Sequence, residues 1–408
     1  METESAHRDE AAIARAFDLR RIDAEFLANP YPTYARLRAH DPVHRNPDGS
    51  WFLTRYDDVM AVYRDRRFLS DKKAEFAPKF GDSPLFIHHT TSLVFNDPPL
   101  HTRVRKLLAP AFTPRALNTL EPRFIALVDG LLDEAAARGS MDLIGDFAAA
   151  LPVEIIGDML GVPRDERAPL RGWSLAILGA LEPAPTQEAL QSGNESVTAF
   201  SDYLEALIRE RRQHPRENDV LTALITGSVD GERLSGNELV QNCIFLLNAG
   251  HETTSNLIGN GVAALLDHPE QRRKLAAHPD LIEPAVEEFL RFESSNQLGN
   301  RRAGADVEIG GVTLPEGSFV TLCIGAANRD PAQFAKPEDL DISRSPNRHV
   351  AFGAGVHACA GMTLARMEGR IAIGRLMQRF PELQRDGTPV RGGRARFRGY
   401  LSYPLALS

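Results

Sequence analysis

Phe352-Gly-Ala-Gly-Val-His-Ala-Cys359-Ala-Gly361 runs directly into the helical pattern Met362–Phe380. It sets a lone cysteine behind glycines and in front of a helix. There, backbone N–H groups and the macrodipole favour a thiolate over a thiol. Small residues beside the sulfur let a flat cofactor approach the backbone closely. Two other readings compete. A lone cysteine is commonly a small buried hydrophobe, and Gly353-x-Gly355-x-x-Ala358 also fits a dinucleotide fingerprint. The second fails, because only about fifty residues follow, no βαβ unit fits, and Gln378 stands where a ribose-binding acid is expected.

A second chemical stretch lies upstream, inside the longest helical pattern, Ser235–Leu266. Ser235-Gly-Asn-Glu238 reads as a capping box and Asp267-His-Pro269 as a stop, giving about thirty residues and roughly 45 Å, enough to cross a whole domain. Ala249-Gly250-His251-Glu252-Thr253-Thr254 interrupts its apolar run with glycine, an acid and two β-branched alcohols, each of lower helix propensity. Polar groups in a helix that is apolar on both sides need partners. The segment reads either as a functional kink or as a tolerated surface patch.

The chain of 408 residues is 43% hydrophobic and 25% charged, an ordinary globular composition with length for a large core. Its 47 Lys and Arg against 55 Asp and Glu give a net charge of −8, which offers no general attraction to nucleic acid or anionic membrane. Three cysteines, Cys243, Cys323 and Cys359, are too few and too scattered for a disulfide framework or a closed zinc site, and they suit a reducing compartment. The first twenty residues are charged throughout, without a signal-like or membrane-spanning run. The expectation is a cytoplasmic protein with neither membrane nor nucleic-acid partners.

Further helices are expected at Arg103–Phe112, Pro122–Ala137, Ser196–Gln213, Pro269–Ala277, Leu281–Phe292 and Ala360–Phe380. Short strands are expected at Val43–His44, Trp51–Leu53, Val307–Leu314, Phe319–Ile324 and Phe397–Leu405. The fold class is mainly α with a small β region assembled from distant parts of the chain. A single domain over 1–408 is expected, about 1–25 being a candidate disordered segment. Ala74–Phe95 and Leu181–Gly193 read as mobile loops that could act as lids.

Together the motifs resemble the cytochrome P450 family. Phe352-x-x-Gly355-x-x-x-Cys359-x-Gly361 is similar to its haem-binding loop, Ala249-Gly250-x-Glu252-Thr253 to its oxygen-activation motif, and Glu288-Phe-Leu-Arg291 to its E-x-x-R pair. The likeness runs from about Asn29 to Pro404 and is nearest to soluble bacterial members. It implies the cytochrome P450 fold, in which haem b (iron protoporphyrin IX) lies between the long central helix and the cysteine loop, with Cys359 on the iron. Asp97-Pro-Pro-Leu-His101-Thr-Arg103-Val-Arg105 resembles D-P-P-x-H-T-R-x-R, which makes His101 and Arg105 propionate ligands, joined by Arg301 and His357 at family positions. Phe352, Gly361, Ala249 and Gly250 are implied haem contacts. Glu252 and Thr253 are implied to relay protons, with Gly250 loosening the helix.

In the family the E-x-x-R pair is buried behind the haem loop. Here Asp339 stands where many members have a third, arginine partner, so either Arg344 substitutes or the triad is incomplete. The implied activity inserts one oxygen atom of O2 into a small to medium-sized, mostly apolar substrate. Electrons would come from a ferredoxin and its NAD(P)H-dependent reductase, docking near Arg103, Lys106 and Arg366. A peroxide-driven oxidase and a haem-binding sensor are the competing classes, and a hydrolase is weak for want of a G-x-S-x-G elbow. Helix spacing from Thr253 puts Phe245 and Asn248 at the substrate cavity. The polar run Asn296-Gln297 lines the same cavity in the family; Asn248 bonds it or orients one substrate oxygen. Phe86, Ile87, Leu178 and Tyr400 are the candidate apolar walls.

Overall fold

The computed structural model describes residues 2–216 and 219–407, with side chains from residue 9 onward. The body is helical and is organised around one helix, Gly236–Asp267. Its start is the expected capping box: Ser235 Oγ accepts from the Glu238 amide at 3.2 Å, and the Glu238 carboxylate accepts from the Ser235 amide at 2.8 Å. It packs on helices Ala150–Leu160, Leu170–Gly179 and Met362–Arg379, so nearly all of its length is buried. No 3-10 or π turn interrupts it. Gly250 is therefore not a loosened turn. A side chain there would come within 2.9 Å of Ile156, so the glycine allows two helices to approach.

The β region is a five-stranded sheet in the order Val43–Arg45, Trp51–Leu53, Phe319–Cys323, Leu298–Ala303, Phe68–Leu69, accompanied by short two- and three-stranded ladders. Leu298–Ala303 pairs antiparallel with Phe319–Cys323 and carries Arg301. Val307–Leu314 is a tight hairpin rather than one strand. The last ladders use Tyr400–Ser402 and Pro404–Ala406, which splits the expected Phe397–Leu405.

Two expectations fail for identifiable reasons. Ala74–Phe95 is not a loop but helices Lys73–Phe80 and Pro84–Thr91 followed by a 3-10 turn, Leu93–Phe95. Ser83 caps the second helix, and Pro84 stands at its first position, where proline starts helices. Leu181–Gly193 is irregular only as far as Thr186, which caps a helix running Gln187–Gln213. Gly193 lies inside that helix because Leu85 and Ala180 press against it. The N-terminal segment carries a helix, Glu2–Arg15, and Ala14 and Leu19 are buried. Among the described residues, no helix is long and apolar enough to cross a membrane.

Candidate active site

The cysteine loop is built backwards from its glycines. Gly353 and Gly355 have φ of 64° and 70°, and a Cβ on Gly355 would strike the Tyr63 carbonyl, so only glycine closes this turn. The Cys359 amide donates to the Phe352 carbonyl at 2.9 Å, folding the loop into a compact bend. Cys359 is half-buried, three residues ahead of the helix Met362–Arg379. Burial pushes its thiol up, while the Gly361 amide and the Arg105 and Arg366 cations pull it back. Thiolate therefore needs a further positive partner at the sulfur, such as a metal ion. Cys243 and Cys323 are fully buried, and burial pushes both thiols up to about 12.

Beside this loop, cations crowd together. The rings of His101 and His357 stand 4.0 Å apart. Burial, then His357 and Arg105, push His101 down to about 4. Arg105 has no side-chain partner among the described residues, and the buried Nε2 of His357 makes no hydrogen bond, lying 3.7 Å from Asp97. Arg301 donates to the Asn300 carbonyl at 2.8 Å and lies over the Tyr63 ring. Asp97 is already engaged by the Ser70 and Asp71 amides at 2.9–3.0 Å. Against its burial, His357 and those amides hold it down at about 2. The cluster has the donors to hold two more carboxylates.

Across from it, one stripe of the central helix is accessible although the helix is buried on both sides: Phe245 and Thr253 are half-buried and Ala249 is exposed. Thr254 Oγ1 donates to Glu368 Oε2 at 3.3 Å, tying this helix to the helix behind Cys359. A half-buried cysteine, an accessible helical stripe and two arginines without carboxylate partners among the described residues fit a flat, metal-centred group with two acidic arms.

Comparison with known proteins agrees. A family model described as Cytochrome P450 matches residues 181–390. The chain is 42% identical over 381 residues to a vitamin D(3) 25-hydroxylase of Pseudonocardia autotrophica, covering 90% of this chain and 93% of that one. It is 40% identical to a biotin biosynthesis cytochrome P450 of Bacillus subtilis, covering 88% and 91%. The chain belongs to the cytochrome P450 family. Among solved structures, P450BioI in complex with acyl carrier protein ligated to hexadec-9Z-enoic acid superposes with a TM-score of 0.90 at 38% identity, over 94% of this P450 and 100% of that chain. A CYP109E1 from Bacillus megaterium in complex with testosterone gives 0.87 at 30%, over 95% and 100%. The family is one of haem-thiolate monooxygenases fed by redox partners, and this P450 is an oxidoreductase of that class.

The oxygen-activation motif departs from the expected arrangement. Thr253 Oγ1 donates to the Ala249 carbonyl at 2.7 Å, so its lone pairs, not its proton, face outward. Glu252 is not free above the stripe, because Arg394 Nη1 donates to its Oε1 at 2.7 Å. Burial, with the Glu182 charge adding to it and Arg394 opposing it, pushes Glu252 up to about 7. Arg394 also holds the Leu175 carbonyl at 3.0 Å. Sequence reasoning passed over it, though the run Arg391-Gly-Gly-Arg394-Ala-Arg396-Phe-Arg398 alternates arginines into a part-apolar segment, a pattern unsuited to a plain surface.

The E-x-x-R site is complete. Glu288 and Arg291 are fully buried and joined by two bonds of 2.8 Å, and Arg344 Nε reaches Glu288 at 3.1 and 3.2 Å. Asp339 contributes only its backbone carbonyl. The expected docking cations are less available. Arg103 is paired with Glu232 and Glu238, Lys106 lies 3.9 Å from Asp230, and Arg366 forms two bonds to Glu287.

The polar cavity run does not assemble. Gln297 turns to the Tyr31 hydroxyl and the Ser294 carbonyl, and Asn296 accepts from the Leu298 amide, so neither reaches Asn248. Tyr400 lines a different cavity, beside Glu252. Phe86 and Ile87 sit on a helix pinned to the central helix by His88–Gln241 at 3.0 Å. Leu178 is buried in the main core with Phe245 packed against it.

Proposed function

We propose that this P450 binds haem b, with Cys359 as iron ligand and His101, Arg105, Arg301 and His357 holding the propionates. Phe352 and Gly361 would border the haem beside the sulfur, and Ala249 and Gly250 on the opposite side. Arg105 and Arg301, without carboxylate partners among the described residues, beside the close His101–His357 pair and a half-buried cysteine support this most directly. When bound, the haem supplies dioxygen activation and oxygen transfer. The balance is one C–H substrate, one O2, two electrons and two protons giving one alcohol and one water. Electrons would come from a ferredoxin and its NAD(P)H-dependent reductase in the cytoplasm. The family resemblance supports that pairing.

The chain's own task is to move two protons to a dry site. Glu252, with an affinity near neutrality, can both take and give one, and Thr253 can hold a water through its outward lone pairs. Thr253→Ala is expected to consume reductant at a near-parental rate while diverting much of it to peroxide or water. Measuring product and peroxide per NAD(P)H tests this, and full coupling in the variant would move the role elsewhere. Support by peroxide alone, with no stimulation by ferredoxin and reductase, would favour the peroxide-driven reading.

Substrate selection reduces to the walls Phe86, Ile87, Leu178 and Phe245 and one polar group. Asn248 is 2% exposed with neither amide atom hydrogen-bonded. An unmatched buried amide costs about 1–3 kcal/mol. Asn248→Leu should therefore keep or raise the unfolding midpoint, yet weaken binding of an oxygen-bearing substrate about fivefold, near 1 kcal/mol. Ligands come from a spin-shift screen including vitamin D3, testosterone and myristic acid. Unchanged affinity and regioselectivity would assign Asn248 to helix packing alone.

A further inference from the structure

One flank of the central helix carries polar groups that, Glu252 apart, the reaction outlined above leaves unused. His251, Glu252, Ser255 and Asn256 form a stripe at helical spacing, and all four are at least nine-tenths buried. Both ring nitrogens of His251, Glu252 Oε2 and Asn256 Nδ2 lack hydrogen-bond partners. The Ala149 backbone only comes close enough to favour the protonated ring. Buried polar atoms are normally satisfied by protein or ordered water, so four on one stripe require an explanation. They border a cavity of about 30 Å³, also lined by Arg171, Arg394 and Leu401. That volume accommodates about two waters, and the lining supplies the several polar partners each would need. Leu401, which also lines the cavity, is 48% exposed, and this marks it as the candidate mouth. Gly399 presses its backbone on Asn256, and a side chain at this glycine would overlap the amide and close the cavity wall.

We propose that this cavity is the proton inlet of the enzyme, in which His251 passes protons from water at the Leu401 mouth to Glu252. The inference rests on the reading of Glu252 as the relay acid. Burial and Arg171 keep His251 low, at about 4, so near neutrality the ring is uncharged. A neutral imidazole accepts a proton on one nitrogen while releasing one from the other, and so passes it on without retaining charge. Glu252 faces the cavity with the oxygen that Arg394 leaves free, while Arg394 holds the other. Glu252 stands between this flank and the Ala249–Thr253 stripe, one residue from each. The protons crossing are the two that each turnover consumes, and the water formed is their product.

The test uses holoenzyme with ferredoxin and reductase and the compound giving the largest spin shift, or dioxygen alone if none does. His251→Phe removes the relay, and Leu401→Trp plugs the mouth. Both are expected to raise the solvent deuterium isotope effect on NAD(P)H oxidation and the peroxide released per NAD(P)H. His251→Phe should slow the coupled rate about tenfold, less than the hundredfold or more of losing a general acid itself. The carbon monoxide spectrum and the unfolding midpoint should stay at parental values, which a packing role for His251 would not leave untouched. If His251→Phe fails to take up haem, His251→Gln, polar but unable to relay, carries the same expectation. Parental coupling and isotope effect in the His251 variant, alongside an uncoupled Glu252→Gln, would overturn the inlet and leave Glu252 as relay. Parental coupling in Glu252→Gln would remove the relay acid and the inlet with it.

Discussion

Cys359→Ala and Cys359→His should each abolish the red-shifted Soret band of the reduced, carbon monoxide-bound enzyme, while Cys243→Ala and Cys323→Ala keep it. The contrast follows from surroundings rather than from sequence position. Cys243 lies within the central helix and Cys323 at a strand end, both fully buried with thiols pushed up to about 12, so neither offers a thiolate. Cys359 is half-buried, and although burial raises its thiol too, the Gly361 amide and the Arg105 and Arg366 cations oppose that rise, which no cation does for Cys243. Histidine at this position could still bind iron, so the variant can retain haem and lose only the thiolate signature. A Cys359 variant that kept the band would end the assignment.

The central helix was legible in sequence because its capping box, apolar run and His-Pro stop all point to the same boundaries, and the structure moves them by one residue. The two loops were misread because glycine and proline were taken as breakers. Pro84 begins a helix, and Gly193 and Gly250 are close-packing positions whose partners, Leu85 and Ile156, are distant in sequence. The proposed haem contacts were readable only through family motifs. No local pattern says that His101, Arg301 and His357, on three separate elements, converge. The partner of Glu252 was hidden for the same reason. Arg394 is 142 residues away, and nothing but the spacing of its arginine run hinted that it turns inward. Asn248 was singled out correctly as an unusual buried amide, but its expected partners proved to be committed to Tyr31, Ser294 and Leu298.

Arg344 shows how a missing residue can be replaced from another part of the chain, and it sets the largest stability effect expected. Glu288 accepts from Arg291 twice, from Arg344, from the Asn347 amide group at 3.0 Å and from the Asp341 backbone at 2.9 Å. Arg291 spends its remaining donors on the carbonyls of Asn328, Pro337 and Asp339, which fixes the segment leading to the cysteine loop. Asn328 in turn accepts from the Val350 amide at 2.7 Å, two residues before Phe352. Removing the carboxylate leaves one arginine fully buried and a second nearly so, without a counter-charge, at a cost of about 3–5 kcal/mol. A whole domain has only about 5–15 kcal/mol in hand. Glu288→Ala should therefore lower the urea midpoint severely and reduce haem content, read as the Soret to protein absorbance ratio. Arg344→Ala should do the same to a lesser degree, since Glu288 keeps its two bonds to Arg291. Asp339→Ala should stay within about 0.5 kcal/mol of the parent, because only its backbone carbonyl is used and its side chain is exposed. A parental midpoint in Glu288→Ala, or a large loss in Asp339→Ala, would show that the loop is held by something other than this triad.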